Sequence, residues 1–144
     1  MNASSLCRVS GGCFFLVGLL AGAWKYLQIR RDPEARASQY VDLAHRASLM
    51  YAFANVLLIQ FVEHSRWSNQ VNVLAAIVLE VFFALSVAGY VTHGVLGDTD
   101  NQFRRPHRLG KATIPNVAMT TFMTALIGAE VAAFLVVFLG YLFS

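Results

Sequence analysis

A histidine and an asparagine lie on one face of a predicted helix that otherwise consists mainly of apolar and small residues. At 100° per residue, His45, Ser48 and Asn55 fall on the same side of this helix, with Tyr51 at the edge of that face. A neutral imidazole is a common metal ligand, and an amide can orient a bound molecule by hydrogen bonds. The alternative is that His45 is simply solvated at the membrane surface, beside Arg46.

A carboxylate interrupts the next apolar segment. Glu80 is flanked on both sides by apolar residues, 77–79 and 81–82. A lone carboxylate inside a bilayer is either protonated or has a polar partner. We therefore expect Glu80 to be buried in the bundle and to meet Asn55 or a threonine of the fourth helix. Tyr90 lies about three turns further along, near the edge of the same face.

The last apolar segment carries a third set of polar residues. At helical spacing they form one stripe, with Thr124 beside it, and threonines in such a stripe usually join helices by hydrogen bonds. The stripe consists of Asn116, Thr120, Met123, Ile127 and Glu130.

Composition places these residues in a membrane protein. Of 144 residues, 57% are hydrophobic and 13% are charged, about half the roughly 25% charged residues of soluble domains. The 11 basic and 8 acidic residues are too few to cover a soluble domain of this size. Motifs of soluble enzymes, such as GxSxG, the Walker loop, HExxH and CxxC, are absent. Two cysteines, Cys7 and Cys13, are too few for a disulfide framework.

Four segments are long enough to cross a bilayer, which takes about 20 mostly apolar residues. They predict one all-α transmembrane domain over residues 1–144, a four-helix bundle with helices at about 11–29, 40–62, 71–96 and 114–143. The first segment has an alternative interpretation as a cleaved signal peptide, because residues 21–23 are small. We expect it to be retained as a helix.

Lysine and arginine counts predict the orientation. Nine of the 11 basic residues lie in or beside the loops after the first and third helices, and only Arg8 and Arg66 lie on the other side. The positive-inside rule places both long loops in the cytoplasm and both termini outside it. We therefore expect a multi-pass protein of a bacterial inner membrane. The basic residues do not form the aromatic-interleaved face of a nucleic-acid-binding module.

The loop after the third helix is rich in hydrogen-bonding groups. Residues 97–107 hold aspartates, amides, arginines and a histidine. They could bind a ligand or a partner, but a helix-capping hinge with lipid-facing arginines is the more common explanation. His93 and His107 lie near or in this loop, which we expect to be mobile, and His64 lies on the opposite side of the membrane. His45 is therefore the preferred candidate for a buried ligand.

The segment Ala44-His45-Arg46-Ala47-Ser48-Leu49-Met50-Tyr51-Ala52 resembles the second helix of a small family of four-helix membrane isomerases. This family includes styrene oxide isomerase and hydroxylaminobenzene mutase. Its pattern is Ala-His, small and apolar residues, then Met or Leu, Asn and Gly. Met50 matches the apolar position, whereas Tyr51 replaces the Asn and Ala52 replaces the Gly.

A second short segment is similar to the third helix of the same family. Residues 77–80 resemble an apolar run that ends in a carboxylate, here Glu80. The family also has a tyrosine about two turns beyond that carboxylate, and Tyr90 lies two residues further along than this match requires. The resemblance covers the overall length, the four spans and these two segments.

The resemblance implies a haem b held between protomers of a trimer, with His45 as axial ligand and the iron acting as a Lewis acid. Glu80 and Tyr90 would then line the substrate pocket, and Asn55 would take the role of the asparagine that Tyr51 replaces. Arg46 could pair with a haem propionate, and the small Ser48 would let a porphyrin approach the helix backbone.

We therefore expect a haem-binding membrane isomerase of a small apolar substrate, such as an epoxide or aromatic compound, acting as a homo-oligomer. One alternative is a non-enzymatic accessory subunit, in which the polar stripes join helices of a larger membrane complex. Another is a trimer like the membrane glutathione transferases, which cluster Arg, Asn and Glu near the cytoplasmic end of the second helix. Only Arg46 and the distant Asn55 meet that last requirement, so it ranks third.

Overall fold

The protein is a bundle of four long helices with one short hairpin. The computed structural model describes residues 2–144. The helices are α1 (Ala3–Arg31), α2 (Gln39–Glu63), α3 (Asn69–Leu96) and α4 (Asn116–Leu142). Between α3 and α4, strands β1 (His107–Leu109) and β2 (Ala112–Ile114) pair antiparallel, with His107 opposite Ile114.

Three of the helices, α1, α3 and α4, are long and apolar enough to cross a membrane. The chain is thus all-helical apart from the hairpin, and a membrane bundle is the architecture it supports. Helix α2 is not among these three helices, so the count of four spans stays a prediction. It carries polar side chains inside the bundle, where Ser48 and Asn55 are buried.

The first helix begins eight residues earlier than the predicted start at residue 11. Asn2 caps it, because its side-chain oxygen accepts the Ser5 N–H at 2.8 Å. Arg8, the only charge in these first turns, forms an ion pair with Glu63 at the end of α2. A capped start and a neutralised charge allow the helix to extend. The other three helices end within two residues of their predicted bounds.

Helices α1 and α2 pack closely because glycines on α1 leave room for side chains of α2. A Cβ atom added at Gly18 would lie 2.6 Å from Leu49 Cδ2, and one added at Gly22 would lie 2.8 Å from His45 Cε1. Both distances are shorter than real Cβ contacts. The two glycines are therefore required by the approach of the helices, as in the small-residue interfaces of membrane proteins.

Helix α4 is the least covered element. In the most apolar 18-residue stretch of α4, only 11% is buried, against 39% in the corresponding stretch of α3. Near its carboxyl end, α4 contacts the α2–α3 loop, where the Trp67 indole N–H donates to the Val136 carbonyl at 2.9 Å. The stripe predicted to join helices begins with Asn116 and Thr120, and both are exposed, as is Thr124 beside it.

Hydrogen bonds join the loop between α3 and α4 to the bundle. His93 Nδ1–H donates to Asp98 Oδ1 at 2.8 Å, and these two side chains are 6% and 5% exposed. His107 is buried, and its Nδ1–H donates to the Gln102 carbonyl at 2.9 Å. The Tyr40 hydroxyl accepts the Gln102 N–H, which joins the loop to the start of α2.

Candidate functional site

Asn55 and Glu80 form a buried polar pair between α2 and α3. Asn55 is 1% exposed and Glu80 is 8% exposed, and the Asn55 side-chain amide donates to Glu80 Oε2 at 3.4 Å. This confirms the prediction that Glu80 is buried and that Asn55 meets it. Eleven residues separate Glu80 from the first residue of α3, so it lies about 16 Å along that helix.

The pair has unused hydrogen-bonding capacity. Among the described residues, Asn55 Oδ1 and Glu80 Oε1 are buried without a hydrogen-bond partner. The Asn55 amide nitrogen is already used twice, because it also donates to the Tyr51 carbonyl at 3.0 Å. Each unpaired buried polar atom costs about 1–3 kcal/mol, so two of them side by side favour a polar ligand atom at this point.

A cavity on the surface of the α1–α2 pair touches one member of this pair, Asn55. It has a volume of about 310 Å³ and lies between α1 and α2, where Gly11 and Gly12 leave space and Asn55 forms part of the lining. Its rim residues Phe15 and Phe53 are exposed, so it opens on the outer surface of the two helices. In a bilayer this opening would face the lipid, with Asn55 in its inner wall.

Cys7 lies beside the same cavity. Its side chain is fully buried, whereas Cys13 is exposed, and both thiols are free. The Cys7 thiol is part of the helix packing. The sequence analysis missed the contribution of Cys7 and Gly11 to this cavity. The detectable signal was the run of small residues at positions 7, 11, 18 and 22, which lie on one side of α1.

His45 occupies a separate position nearer the other end of α2. Its Nδ1–H donates to the Gly18 carbonyl on α1 at 2.7 Å, and its ring lies against Gly22. The hydrogen bond defines the tautomer, because a carbonyl oxygen can only accept a proton, and it leaves Nε2 with a lone pair. Ser48, one turn along, is fully buried, and its hydroxyl has no partner within residues 2–144.

Arg46 faces away from this position. Its side chain is 62% exposed, and it forms an ion pair with Asp42 at 2.9 Å. Asp42 also accepts a hydrogen bond from Lys25 at 2.6 Å. The guanidinium that was expected to meet a propionate is thus already engaged with a carboxylate in this structure.

The predicted tyrosines belong to two different aromatic clusters. Tyr51 stacks on Phe83 with ring centroids 4.1 Å apart, one turn from Asn55. Tyr90 stacks on Tyr40 at 6.3 Å, near the base of the α3–α4 loop. Ten residues separate Tyr90 from Glu80 along α3, about 15 Å, so Tyr90 does not join the Asn55–Glu80 pair.

The structure therefore divides the seven predicted site residues. Asn55, Glu80 and Tyr51 lie together, and we call these three the carboxamide site. His45, with Ser48 nearby, forms a second position, which we call the histidine site. Ten residues of α2 separate His45 from Asn55, about 15 Å along the helix. Residues 2–144 contain no group of three or more His, Cys, Asp or Glu side chains that could hold a bare metal ion.

Comparison with family models, with curated proteins and with solved structures finds no match to this chain.

Proposed function

We propose that the protein is a membrane-embedded isomerase of a small apolar substrate and that it binds haem b through His45. The observation that carries this proposal is the hydrogen bond from His45 Nδ1–H to the Gly18 carbonyl. Histidines that ligate metals commonly donate their second ring N–H to a backbone carbonyl, which sets the tautomer and orients the ring. In this arrangement Nε2 is the free ligand atom.

His45 would hold the haem iron, and its neighbours leave room for the imidazole. Gly22 provides the space that the imidazole occupies, since any side chain at that position would collide with the ring. The buried Ser48 hydroxyl, one turn away, has an unused donor and acceptor. A bound ferric haem would supply a Lewis acid for an oxygen atom of the substrate.

The carboxamide site supports a substrate pocket within the membrane. An apolar molecule would enter the cavity from the lipid and lie against Asn55. The Glu80 carboxyl would hold its proton at the unpaired Oε1 and donate it to a substrate oxygen. The stacked rings of Tyr51 and Phe83 would exclude water beside them.

The proposal includes a topology and an assembly. Helix α2 packs against α1 from Asn55 to His45. If α2 crosses the bilayer beside α1, the protein has four spans. The charge bias puts the loops at 32–38 and 97–115 in the cytoplasm and the termini outside it, in a bacterial inner membrane. The proposal also includes a homo-oligomer, a trimer by resemblance. The two sites lie about 15 Å apart within one chain, and an oligomer would allow the sites of neighbouring protomers to act together.

An absorption spectrum tests the haem assignment. We expect the detergent-purified protein from haem-supplemented cells to show a Soret band, and His45→Ala to lose it while retaining its helical circular dichroism. His64→Ala is the matched control, because His64 is an exposed histidine that bonds only to its own helix, at the Gln60 carbonyl. A colourless wild-type protein, or a Soret band that survives His45→Ala, would refute the assignment.

A second candidate function, an accessory subunit of a larger membrane complex, is favoured by α4. Its exposed Thr120 and Thr124 are polar groups on a mostly uncovered helix. In a bilayer such groups find partners on other helices. Co-purification of a stoichiometric larger protein with a colourless chain, abolished by Thr120→Leu/Thr124→Leu, would support this function over the isomerase. A homo-oligomer with no other component would count against it.

A further inference from the structure

Three arginines of the α3–α4 loop surround one cavity. Arg104, Arg105 and Arg108 line a space of about 340 Å³ together with Asp98 and Asp100. This cavity lies outside both sites described above. Its balance of free positive and negative charge decides what it can bind.

The acidic residues of this cavity are already engaged. Asp100 forms an ion pair with Arg104 at 2.9 Å. Asp98 accepts hydrogen bonds from the His93 ring and from the Gly110 N–H. Within residues 2–144, Arg105 and Arg108 form no ion pair, and both are exposed. Two free guanidinium groups therefore face one cavity, which suits a phosphate group because each can donate two parallel hydrogen bonds.

The loop holds these two arginines in a defined arrangement. Arg108 lies in β1, opposite Thr113 of β2, and Gly110 makes the tight turn at a φ of 60°. Buried His107, next to Arg108, contacts the Gln102 carbonyl at 2.9 Å and the Asn116 side-chain amide at 3.2 Å. The guanidinium groups therefore stand on an ordered segment, which reduces the entropy lost on binding.

The setting favours a lipid rather than a soluble anion. The loop joins two helices that are each long and apolar enough to span a membrane, so it lies at a membrane surface. Phe103 and Leu109, neighbours of the arginines in the chain, are 52% and 41% exposed. Exposed apolar side chains beside cationic ones are typical of segments at the boundary between headgroups and acyl chains.

We propose that the α3–α4 loop binds the phosphate headgroup of an anionic phospholipid between Arg105 and Arg108, with Phe103 and Leu109 in contact with its acyl chains. This inference is independent of the haem and isomerase proposals. It assigns the loop a lipid-binding role that would anchor one end of the bundle at the charged membrane surface.

Native mass spectrometry of the full-length detergent-purified protein tests this inference, with phosphatidylglycerol and phosphatidylcholine as probes. Each arginine near an anionic headgroup contributes about fivefold in affinity, so Arg105→Gln/Arg108→Gln should weaken phosphatidylglycerol binding about 25-fold. Phosphatidylcholine binding should be weak and unchanged. Arg30→Gln/Arg31→Gln is the matched control, since it removes the same charge from exposed residues at the same end of the bundle.

Two results would overturn the inference. If the control variant weakens phosphatidylglycerol binding as much as Arg105→Gln/Arg108→Gln, the effect is one of net charge and not of this cavity. If glycerol 3-phosphate, which has no acyl chains, binds as tightly as the lipid, the cavity takes a soluble phosphate. Phe103→Ser separates these sources further, because it should weaken binding of the lipid and leave that of glycerol 3-phosphate unchanged.

Discussion

A single added methyl group at Gly22 should destabilise the contact between α1 and α2. In Gly22→Ala, the new Cβ would lie 2.8 Å from His45 Cε1 and 2.9 Å from Nδ1. The imidazole cannot move away without weakening its 2.7 Å hydrogen bond to the Gly18 carbonyl. The alternative response is separation of the helices, which would loosen the whole interface.

The expected cost follows from three contributions. Overpacking of a tight interface costs about 1–3 kcal/mol, and loss of the histidine hydrogen bond adds about 0.5–1.5 kcal/mol. Alanine regains roughly 1 kcal/mol over glycine through its higher helix propensity. We therefore expect Gly22→Ala to lower the free energy of unfolding by about 1–3 kcal/mol.

Equilibrium unfolding in mixed micelles of increasing SDS content, followed by circular dichroism, measures this change. Gly12→Ala is the matched control, because a Cβ at Gly12 meets nothing within 4 Å and should be neutral or slightly stabilising. A double-mutant cycle locates the cause, since removing the imidazole in His45→Ala should relieve most of the cost of Gly22→Ala. An equal cost in both backgrounds, or equal behaviour of Gly12→Ala and Gly22→Ala, would refute the reasoning.

Three further predictions concern topology, the buried carboxyl and the loop. Reporter fusions at Ser144 should be active only outside the cytoplasm, and cytoplasmic activity there would invert the proposed topology. Glu80→Gln should be tolerated because it keeps the hydrogen bond with Asn55, whereas Glu80→Ala should cost about 1–3 kcal/mol in the same SDS assay; equal stability of the two variants would show that the pair is unimportant. Burial raises the pKa of Asp98, but hydrogen bonds from His93 and the Gly110 N–H outweigh it and lower the pKa below its ordinary value. A lowered carboxyl pKa stabilises the fold above the unfolded pKa of about 4 and ceases to do so at lower pH. Asp98→Ala should therefore remove the hydrogen-exchange protection of the Gly110 amide at pH 7 but change little at about pH 2; unchanged protection at pH 7 would contradict the role of Asp98.

Hydrophobic segments predict most of this fold because each helix must satisfy its own backbone in an apolar medium. The bounds of α2, α3 and α4 were predictable to within two residues. The start of α1 was not, since Asn2 capping and the Arg8–Glu63 ion pair extend it beyond the apolar run. The hairpin was also missed, although Gly110-Lys111 between short extended segments is a turn signal.

The candidate site was predictable only where burial itself is costly. A carboxylate in an apolar helix must find a partner, which is why the Asn55–Glu80 pair could be inferred from the sequence. Tyr90 carries no such penalty, and its stacking on Tyr40 depends on how α2 and α3 cross. The ring position of His45 likewise depends on two glycines of another helix. Such contacts depend on how the helices pack against each other, so the spacing of residues along one helix does not predict them.

The distance between the histidine site and the carboxamide site makes the isomerase proposal testable without a structure of an oligomer. Within one chain, about 15 Å of helix separates His45 from Asn55, too far for one small substrate to contact both. A homo-oligomer could join both sites in one reaction if the histidine of one protomer acts with the carboxamide site of its neighbour. Chains carrying His45→Ala and chains carrying Glu80→Gln would each be inactive alone. When the two variants are co-expressed, activity should return, because a mixed oligomer contains interfaces that join an intact His45 to an intact Glu80.

The measurement is the turnover of a lipophilic aryl epoxide by membranes that hold both variants, with each variant expressed alone as the control. Loss of activity in the single variants without recovery in the mixture would contradict a site shared between protomers.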